Sequence, residues 1–195
     1  MLRIAKVIPR TTVEGPFERC AIWVSGCTLA CPGCCNPELF ETSAGNPYDR
    51  NALLAVLDRA VNDGVEGITV LGGEPLQQLA GVAALATDAS SRGLGTIVFT
   101  GYTLAQAQQR PGFQDLWSTL DTLVDGPFDV RQPDRRRRFI GSENQGLRHR
   151  TRRYAEPGLW RGRRQIEVRV DPSGQVEVHG MPRSVSRFAR SMKRD

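Results

Sequence analysis

Four of the five cysteines in this chain crowd into nine residues, on a loop that also contains glycine and proline. Cys27, Cys31 and Cys34 form a C-x3-C-x2-C arrangement in the segment GCTLACPGCCN. Three thiolates at this spacing can wrap around one cubane iron-sulfur cluster. Because such a cluster usually has four cysteine ligands, three would leave one iron without a protein ligand. We therefore predict one 4Fe-4S cluster whose open iron can bind a chelating small molecule.

The same cysteines could instead form a zinc knot or remain reduced, buried thiols. Zinc prefers four protein ligands in paired C-x2-C units, and the chain has no second pair and only two histidines, His149 and His179. Cys35 could in principle replace Cys34 as the third ligand, but we favour Cys34. Cys20 lies within a predicted strand, so we interpret it as a core residue.

The cysteine usage and the apolar pattern bear on where the protein works. Thiols this close together cannot staple a fold as disulfides, which favours a metal site in a reducing compartment. The longest apolar stretch, 79–86, is far shorter than the roughly 20 residues of a membrane span. The start MLRIAKVIPR lacks the apolar region of a signal peptide. We therefore expect a cytoplasmic protein with no membrane association.

Strand and helix patterns alternate along the first two thirds of the chain. Short runs rich in β-branched and aromatic residues indicate buried strands, and helical spacing of apolar residues indicates helices. Alternation with short connections implies parallel βαβ units, and we predict an α/β fold, a partial, open (β/α) barrel of parallel strands with ligands at their carboxyl ends. The predicted strands are 20–25, 68–71, 96–100 and 122–125, and the predicted helices are 51–61, 76–91 and 104–110.

After residue 129 the amino-acid composition changes, and the sequence becomes turn-prone and rich in arginine. Segments 165–170 and 175–179 alternate apolar and polar residues around a proline-glycine turn, which predicts a C-terminal β-hairpin. We expect a single domain, 1–195, with its core at about 15–130 and a basic C-terminal extension at 131–195. The last dozen residues, basic and serine-rich, are predicted to be disordered.

The net charge of +5 and the pI of about 9.3 come largely from arginine runs in the second half, such as RQPDRRRR and LRHRTRR. No zinc-finger, helix-turn-helix or aromatic RNA-binding signature accompanies these runs. We therefore do not expect nucleic acid to be the main partner. A basic face that docks an acidic protein is the alternative.

Five motifs together resemble a known family. C-x3-C-x2-C after a first strand, followed by GGEP at the end of the next strand, resembles the radical S-adenosylmethionine (SAM) superfamily. The segments ERCAIWVSGCTLACPGCCNPELF, VLGGEP, FTGYT, LVDGPF and GSENQ are similar, in order, to the activating enzymes of anaerobic (class III) ribonucleotide reductase. The resemblance implies a radical SAM oxidoreductase of the glycyl-radical-enzyme activating type.

This resemblance implies roles for individual residues. Cys27, Cys31 and Cys34 would be the catalytic cluster ligands, and the amino and carboxylate groups of SAM would chelate the open iron. The segment GSENQ matches the family without a chemical role that we can assign. The residues expected to bind SAM are Gly72, Gly73, Glu74 and Pro75 near the methionine amine, Thr100, Gly101 and Asp125 near the carboxylate and ribose, and Asn36 after the cysteine loop.

The implied reaction is the reductive cleavage of SAM to methionine and a 5′-deoxyadenosyl radical, which takes a hydrogen from a glycine of a partner enzyme. No cysteine follows Cys35, so a single cluster is expected, with electrons from an external flavodoxin, ferredoxin or thiol system. One alternative is a stand-alone radical SAM enzyme that modifies a small molecule or peptide. Another is a non-catalytic iron-sulfur or nucleic-acid-binding module, which would have little use for GGEP and the other motifs at strand ends.

Overall fold

A seven-stranded sheet forms the centre of the molecule in a computed structural model that describes residues 1–170 and 172–180. The strand order is β3-β1-β2-β4-β5-β6-β7. The four central strands are mutually parallel, whereas β1, β3 and β7 pair in antiparallel fashion at the two sides. The strands are β1 (Leu2–Thr11), β2 (Arg19–Val24), β3 (Asn46–Tyr48), β4 (Gly67–Gly72), β5 (Gly95–Phe99), β6 (Thr122–Asp125) and β7 (Gly146–His149).

In the part of the chain that the structure describes, four α-helices connect the strands: α1 (Arg50–Asn62), α2 (Leu79–Ser91), α3 (Leu104–Gln108) and α4 (Phe113–Thr119). The apolar spacing of α1 buries Leu53 and Leu57 against the sheet. The carboxylate of Asp49 accepts a 2.8 Å hydrogen bond from the backbone N–H of Ala52 and caps the first turn. The predicted α/β alternation is confirmed as a mixed α/β fold with a mostly parallel central sheet.

Several elements differ from the sequence prediction. The helix predicted to begin at residue 76 starts as a 3-10 turn, Pro75–Gln78, and becomes α-helical only at Leu79. The turn is held by Glu74, whose carboxylate accepts a hydrogen bond from the N–H of Leu76. Helix α4 went unpredicted because seven residues are too short to display a helical period.

The antiparallel sides of the sheet were also missed. In β1 the buried residues Leu2, Ile4 and Ile8 alternate with more exposed ones, a period-2 pattern that is typical of a strand with one buried face. β7 has only four residues, one of them an exposed arginine, and carries no such signal. It lies within the segment assigned to the basic extension, and it completes the sheet by pairing with β6.

Apolar residues cover both faces of the parallel strands. On one face the helices bury the larger cluster, which includes Leu57, Val70 and Leu85. On the other face Ile97 and Val124 pack against aromatic side chains from the arginine-rich segment, among them Tyr154 and Trp160. The second cluster exists because residues 139–160 fold back across the sheet, so the basic segment is part of the packing.

The predicted C-terminal hairpin is confirmed as β8 (Ile166–Val170) and β9 (Val176–Gly180). It contacts β1 through polar side chains: Oγ1 of Thr11 donates a 2.6 Å hydrogen bond to Glu167, and Lys6 lies 3.3 Å from Glu177. The predicted disorder of the last dozen residues lies outside the described residues.

No helix in the described part of the chain is long and apolar enough to cross a membrane. The parallel strands β2, β4, β5 and β6 all end at the same edge of the sheet. The cysteine loop, GGEP, FTGYT and LVDGPF each lie at one of these four strand ends. The topology therefore assembles the chemical motifs at a single edge, where ligands of open α/β sheets bind.

Candidate functional site

The cysteine loop begins where β2 ends and is closed at its base by backbone hydrogen bonds. The N–H of Gly26 donates to the carbonyl of Leu39 at 2.8 Å, and the N–H of Cys27 donates to the carbonyl of Phe40 at 2.9 Å. Gly26 has a φ of +92°, and a Cβ there would lie 2.6 Å from Cγ2 of Thr42. Only glycine fits this left-handed, crowded position comfortably, and the loop is thereby anchored at both ends.

Within the loop, the three predicted ligands line one wall of a cavity. A turn joins two of them, since the N–H of Cys34 donates a 3.0 Å hydrogen bond to the carbonyl of Cys31. Gly33 adopts a φ of +73° inside this turn. Cys27, Cys31 and Cys34 are all half-buried, which suits ligands that face a cofactor.

None of the five cysteines forms a disulfide, and their environments differ. Burial raises the pKa of the Cys20 thiol to about 12, which agrees with its interpretation as a core residue. Burial also raises the pKa of Cys34, and the neighbouring thiols of Cys31 and Cys27 add to the effect because like charges disfavour a second thiolate. Cys35 is exposed but also borders the cavity.

The glycines of GGEP bring the end of β4 against the start of the cysteine loop. The N–H of Gly73 donates to the carbonyl of Val24 at 2.7 Å, and the N–H of Glu74 donates to the carbonyl of Gly26 at 2.8 Å. A Cβ at Gly72 would lie 2.6 Å from the Val24 oxygen, and one at Gly73 only 2.5 Å from the Gly26 oxygen. Close backbone approach is therefore the local reason for both glycines, and here the neighbour is the protein itself.

Glu74 joins the ends of β4 and β5 from a buried position with 1% exposure. Its carboxylate accepts hydrogen bonds from the hydroxyl of Thr100 at 2.7 Å and from the N–H groups of Leu76 and Gly101, both at 2.8 Å. Burial raises its pKa, and these three donors partly offset the effect. Since a carboxylate has about four acceptor positions, three internal donors leave room for one further donor from a ligand.

Gly101 lets the cysteine loop approach the end of β5 closely. A Cβ at this position would lie 2.5 Å from Cδ1 of Leu29, a residue between the first two cysteines. The loop is tied to the same region by Gln77, whose side chain accepts from the N–H of Thr28 at 3.1 Å and donates to its hydroxyl at 2.7 Å. The three motifs therefore fix one another's positions.

The structure brings nine of the eleven predicted site residues to one cavity. Asp125 is not among them: its carboxylate is buried and accepts hydrogen bonds from Nε of Arg148 at 2.9 Å and from the N–H of Leu104 at 2.8 Å. Pro75 is buried at the start of the 3-10 turn and likewise does not line the cavity. The nine are Cys27, Cys31, Cys34, Asn36, Gly72, Gly73, Glu74, Thr100 and Gly101.

The GSENQ segment acquires a structural role. The side-chain oxygen of Gln145 accepts hydrogen bonds from the N–H groups of Gly141 and Ser142, both at 3.1 Å, while its nitrogen donates to the carbonyl of Gly126 at 3.2 Å. Asn144 donates to the carbonyl of Pro127 at 2.7 Å. The motif thus holds the turn that follows β6 at the cavity wall.

Other residues of the cavity were not predicted. Several are aromatic, including Trp23, Phe99 and Phe128, and they give one side of the cavity an apolar surface. Glu14, in the turn between β1 and β2, also lines the cavity. Burial raises its pKa to about 8, and the nearby carboxylate of Glu167 contributes. No sequence signal pointed to Glu14, because its turn precedes the amino end of β2, whereas ligand residues are expected at the carboxyl ends of parallel strands.

The donor set fits an iron-sulfur cluster, since three cysteines line the cavity and thiolates are the usual ligands of such clusters. In residues 1–170 and 172–180, no three histidine, cysteine or carboxylate side chains are already drawn together closely enough to hold a metal ion. Ligation by Cys27, Cys31 and Cys34 therefore stays a prediction.

Comparisons with known proteins agree with this site. A family model described as "4Fe-4S single cluster domain" matches residues 13–148. An anaerobic ribonucleoside-triphosphate reductase-activating protein of Pasteurella multocida (strain Pm70) is 32% identical over 145 residues, covering 70% of this chain and 90% of the relative. Proteins of the same name from Escherichia coli (strain K12), at 32% over 72% and 94%, and Enterobacteria phage T4, at 24% over 80% and 96%, are also similar.

Proposed function

Because the chain belongs to the family of anaerobic ribonucleoside-triphosphate reductase-activating proteins, we propose that it generates a glycyl radical on an anaerobic ribonucleotide reductase. It is a radical SAM enzyme with one 4Fe-4S cluster and SAM as its cofactors. The observation that carries the proposal is the meeting of three cysteines with the ends of β4 and β5 at one cavity.

When bound, the cluster and SAM supply a reducing electron and a radical that abstracts hydrogen. We propose that the thiolates of Cys27, Cys31 and Cys34 hold the cluster, and that Gly73, Glu74 and the adjoining strand ends bind SAM. The remaining acceptor position of Glu74 suits the ammonium of SAM, because a buried carboxylate binds a charged donor strongly. The aromatic side chains of the cavity would exclude water from the reacting groups.

Asn36 and Thr100 line the same cavity and are further candidates for contact with SAM. Asp125 and Pro75 do not line the cavity and would support it indirectly. Asp125 fixes the start of α3, and Pro75 shapes the turn after Glu74. We also propose that the sheet curves as a partial barrel around the cofactors, which would leave its mouth open to a partner. An external flavodoxin or ferredoxin would supply electrons in the cytoplasm, a compartment that keeps thiols reduced.

Anaerobic reconstitution with iron and sulfide, followed by dithionite and SAM, tests this function. We expect 5′-deoxyadenosine by chromatography, and loss of both the product and the cluster absorbance in Cys27→Ala, Cys31→Ala and Cys34→Ala. Cys35→Ala is the matched control from the same loop, and it should retain both. Activity that survives Cys34→Ala but not Cys35→Ala would reassign the third ligand.

The partner requires a second measurement. With the anaerobic ribonucleotide reductase of the same organism present, electron paramagnetic resonance should detect a glycyl radical that depends on SAM and the reduced cluster. SAM cleavage without any radical on the reductase would contradict the activase proposal and favour a stand-alone radical SAM enzyme.

A further inference from the structure

Positive charge is concentrated in one part of the chain. The stretch from Arg131 to Arg164 contains twelve arginines and three acidic residues, a net charge of +9, whereas the whole chain carries +5. Such an excess destabilises the compact state through self-repulsion unless counter-charges accompany it. The arginines therefore divide into those that folding uses and those that remain available.

Within the described residues, four of the twelve form ion pairs with nearby carboxylates. Arg137 is the most engaged of them, because it binds the buried carboxylate of Asp134 and also donates to the carbonyls of Ser142, Glu143 and Gln145. The four pairs are Arg131 with Asp129, Arg137 with Asp134, Arg148 with Asp125 and Arg153 with Glu66.

Arg136 and Arg161 behave differently. Both are exposed, and neither guanidinium forms a hydrogen bond or an ion pair with any residue in the described part of the chain. An antiparallel bridge between the backbones of Arg137 and Arg161 brings their two segments side by side. The two uncompensated charges are therefore held near each other by the fold.

These two arginines line a groove of about 910 Å³ beside β7. Leu147 and Pro157 line it too, so the groove combines apolar surface with two free positive charges. This volume is comparable to that of ligand-binding clefts and can accept several side chains of a peptide.

We propose that this groove docks an acidic, partly apolar segment of the glycyl-radical partner protein, an inference that rests on the proposed function. The two guanidiniums would pair with carboxylates of the segment, and its apolar side chains would contact Leu147 and Pro157. Charge complementarity of this kind accelerates association and selects the partner.

One feature of the groove favours a protein segment over nucleic acid. The ring of Trp160 is only 1% exposed, and its indole N–H donates to the carbonyl of Tyr154 at 2.7 Å. It therefore offers no face on which a base could stack, as proteins that bind single strands require.

The groove adjoins the cavity of the cysteines through a shared wall. Asp134 and Glu143 line the groove, whereas Gly141 and Gln145, in the same segment, line the cavity. The N–H of Asp134 donates to the carbonyl of Gly141 at 3.1 Å across this wall. A segment bound in the groove would thus anchor the partner beside the site of chemistry.

The affinity of the protein for the reductase tests the proposal independently of catalysis. The titrant is the anaerobic ribonucleotide reductase of the same organism, followed anaerobically by fluorescence anisotropy of the labelled, reconstituted protein. We expect Arg136→Glu with Arg161→Glu to weaken binding about tenfold or more, with a reduced dependence on salt. Arg136→Gln with Arg161→Gln should give an intermediate loss and guards against misfolding caused by charge reversal.

The matched control is Arg50→Glu with Arg59→Glu, which makes the same change in charge on the exposed surface of α1. This control should bind the reductase as the unmodified protein does. Equal affinity of the groove variant and the α1 variant would overturn the proposal, as would absence of reductase binding by the unmodified protein. Groove-dependent binding of a labelled 20-nucleotide single-stranded DNA, with reductase binding unaffected, would assign the groove to nucleic acid instead.

Failure of the docking proposal can be distinguished experimentally from failure of the proposed function. Formation of 5′-deoxyadenosine without reductase should be the same in the groove variants and the unmodified protein, because the groove lies outside the cavity. If no glycyl radical forms but the reductase still binds through Arg136 and Arg161, the proposed function fails and the docking groove stands.

Discussion

The hydroxyl of Thr100 donates a 2.7 Å hydrogen bond to Oε1 of Glu74, and this contact joins the ends of two neighbouring parallel strands. The same oxygen accepts from the N–H of Leu76, while the N–H of Gly101 donates to Oε2. Because the carboxylate is buried, each donor replaces a water molecule that the group has lost. Glu74 therefore joins the ends of β4 and β5 at the edge of the sheet that faces the cysteine loop.

Replacing Thr100 by valine keeps the shape of the side chain and removes the donor. We expect the free energy of unfolding to fall by about 2 kcal/mol, the usual contribution of a hydrogen bond to a charged group. Formation of 5′-deoxyadenosine should fall as well, because Glu74 would lose its position. Thr100→Ser keeps the hydroxyl and loses one methyl group, at a cost of about 0.8 kcal/mol. Equal losses of activity in the two variants would contradict this role.

Gly73 gives a prediction about close packing. A Cβ at Gly73 would meet the carbonyl oxygen of Gly26 at 2.5 Å, a backbone contact that cannot move without shifting the cysteine loop. Gly73→Ala should therefore abolish most SAM cleavage and weaken cluster binding, which iron and sulfide analysis would measure. In the control Gly158→Ala, the added Cβ meets only the flexible end of the Glu156 side chain, so cluster content should be unchanged.

Much of the site could be predicted from the sequence because its chemistry lies in short, local patterns. The cysteine spacing and the strand followed by GGEP are each contained in a few residues, and parallel topology then places them at one edge. Asp125 shows the limit of this reasoning. Its position at a strand end was predicted, but its side chain binds Arg148 from β7, a strand with no sequence signal of its own.

The short outer strands of the sheet and the packing of the arginine-rich segment could not be predicted from the sequence. β3 and β7 are three and four residues long, so their existence depends on the neighbouring strands that they pair with. The arginine-rich segment reads as solvated surface, yet its few aromatic residues, such as Trp160, form a second core cluster. Because arginines are so frequent in this segment, its sequence pattern does not indicate which apolar residues pack in the core.

Glu14 should make stability depend on pH in the cluster-free protein. Burial raises its pKa from 4.5 to about 8, so its contribution is fully present below pH 4.5 and is lost as the pH rises through 8. Glu14→Gln removes this titration. We expect the variant to match the unmodified protein near pH 4 and to be more stable at pH 9, by on the order of 2 kcal/mol in urea unfolding. The control is Glu41→Gln at an exposed position, and a pH-independent difference would contradict the assignment.

Arg19 is fully buried at the opposite edge of the sheet, where β2 begins. Its guanidinium binds Glu66 at 2.8 Å, the hydroxyl of Tyr154 at 2.8 Å and the carbonyl of Ile68 at 2.5 Å. Arg19→Met should lower the free energy of unfolding by about 3 to 5 kcal/mol, because it breaks the ion pair of a fully buried charge and removes the donor from the buried Ile68 carbonyl. The exposed pair of Arg50 and Asp88 is the comparison, and Arg50→Met should cost about 1 kcal/mol or less. A similar cost for both would refute the buried network.

At Gln145, the effect of hydrogen bonds to the cavity wall can be measured separately from the effect of side-chain packing. Its nitrogen donates to the carbonyl of Gly126, and its oxygen accepts from two backbone N–H groups. Gln145→Glu preserves size and the acceptor but places a carboxylate oxygen against the Gly126 carbonyl. We expect a loss of about 1 to 3 kcal/mol in unfolding free energy from the unpaired acceptor. SAM cleavage should decrease as the turn after β6 shifts. The control is Gln108→Glu, which makes the same chemical change on the exposed side of α3, away from the cavity. It should leave both the unfolding free energy and SAM cleavage unaltered. A comparable effect in this control would show that the added negative charge, and not the lost hydrogen bond, is responsible.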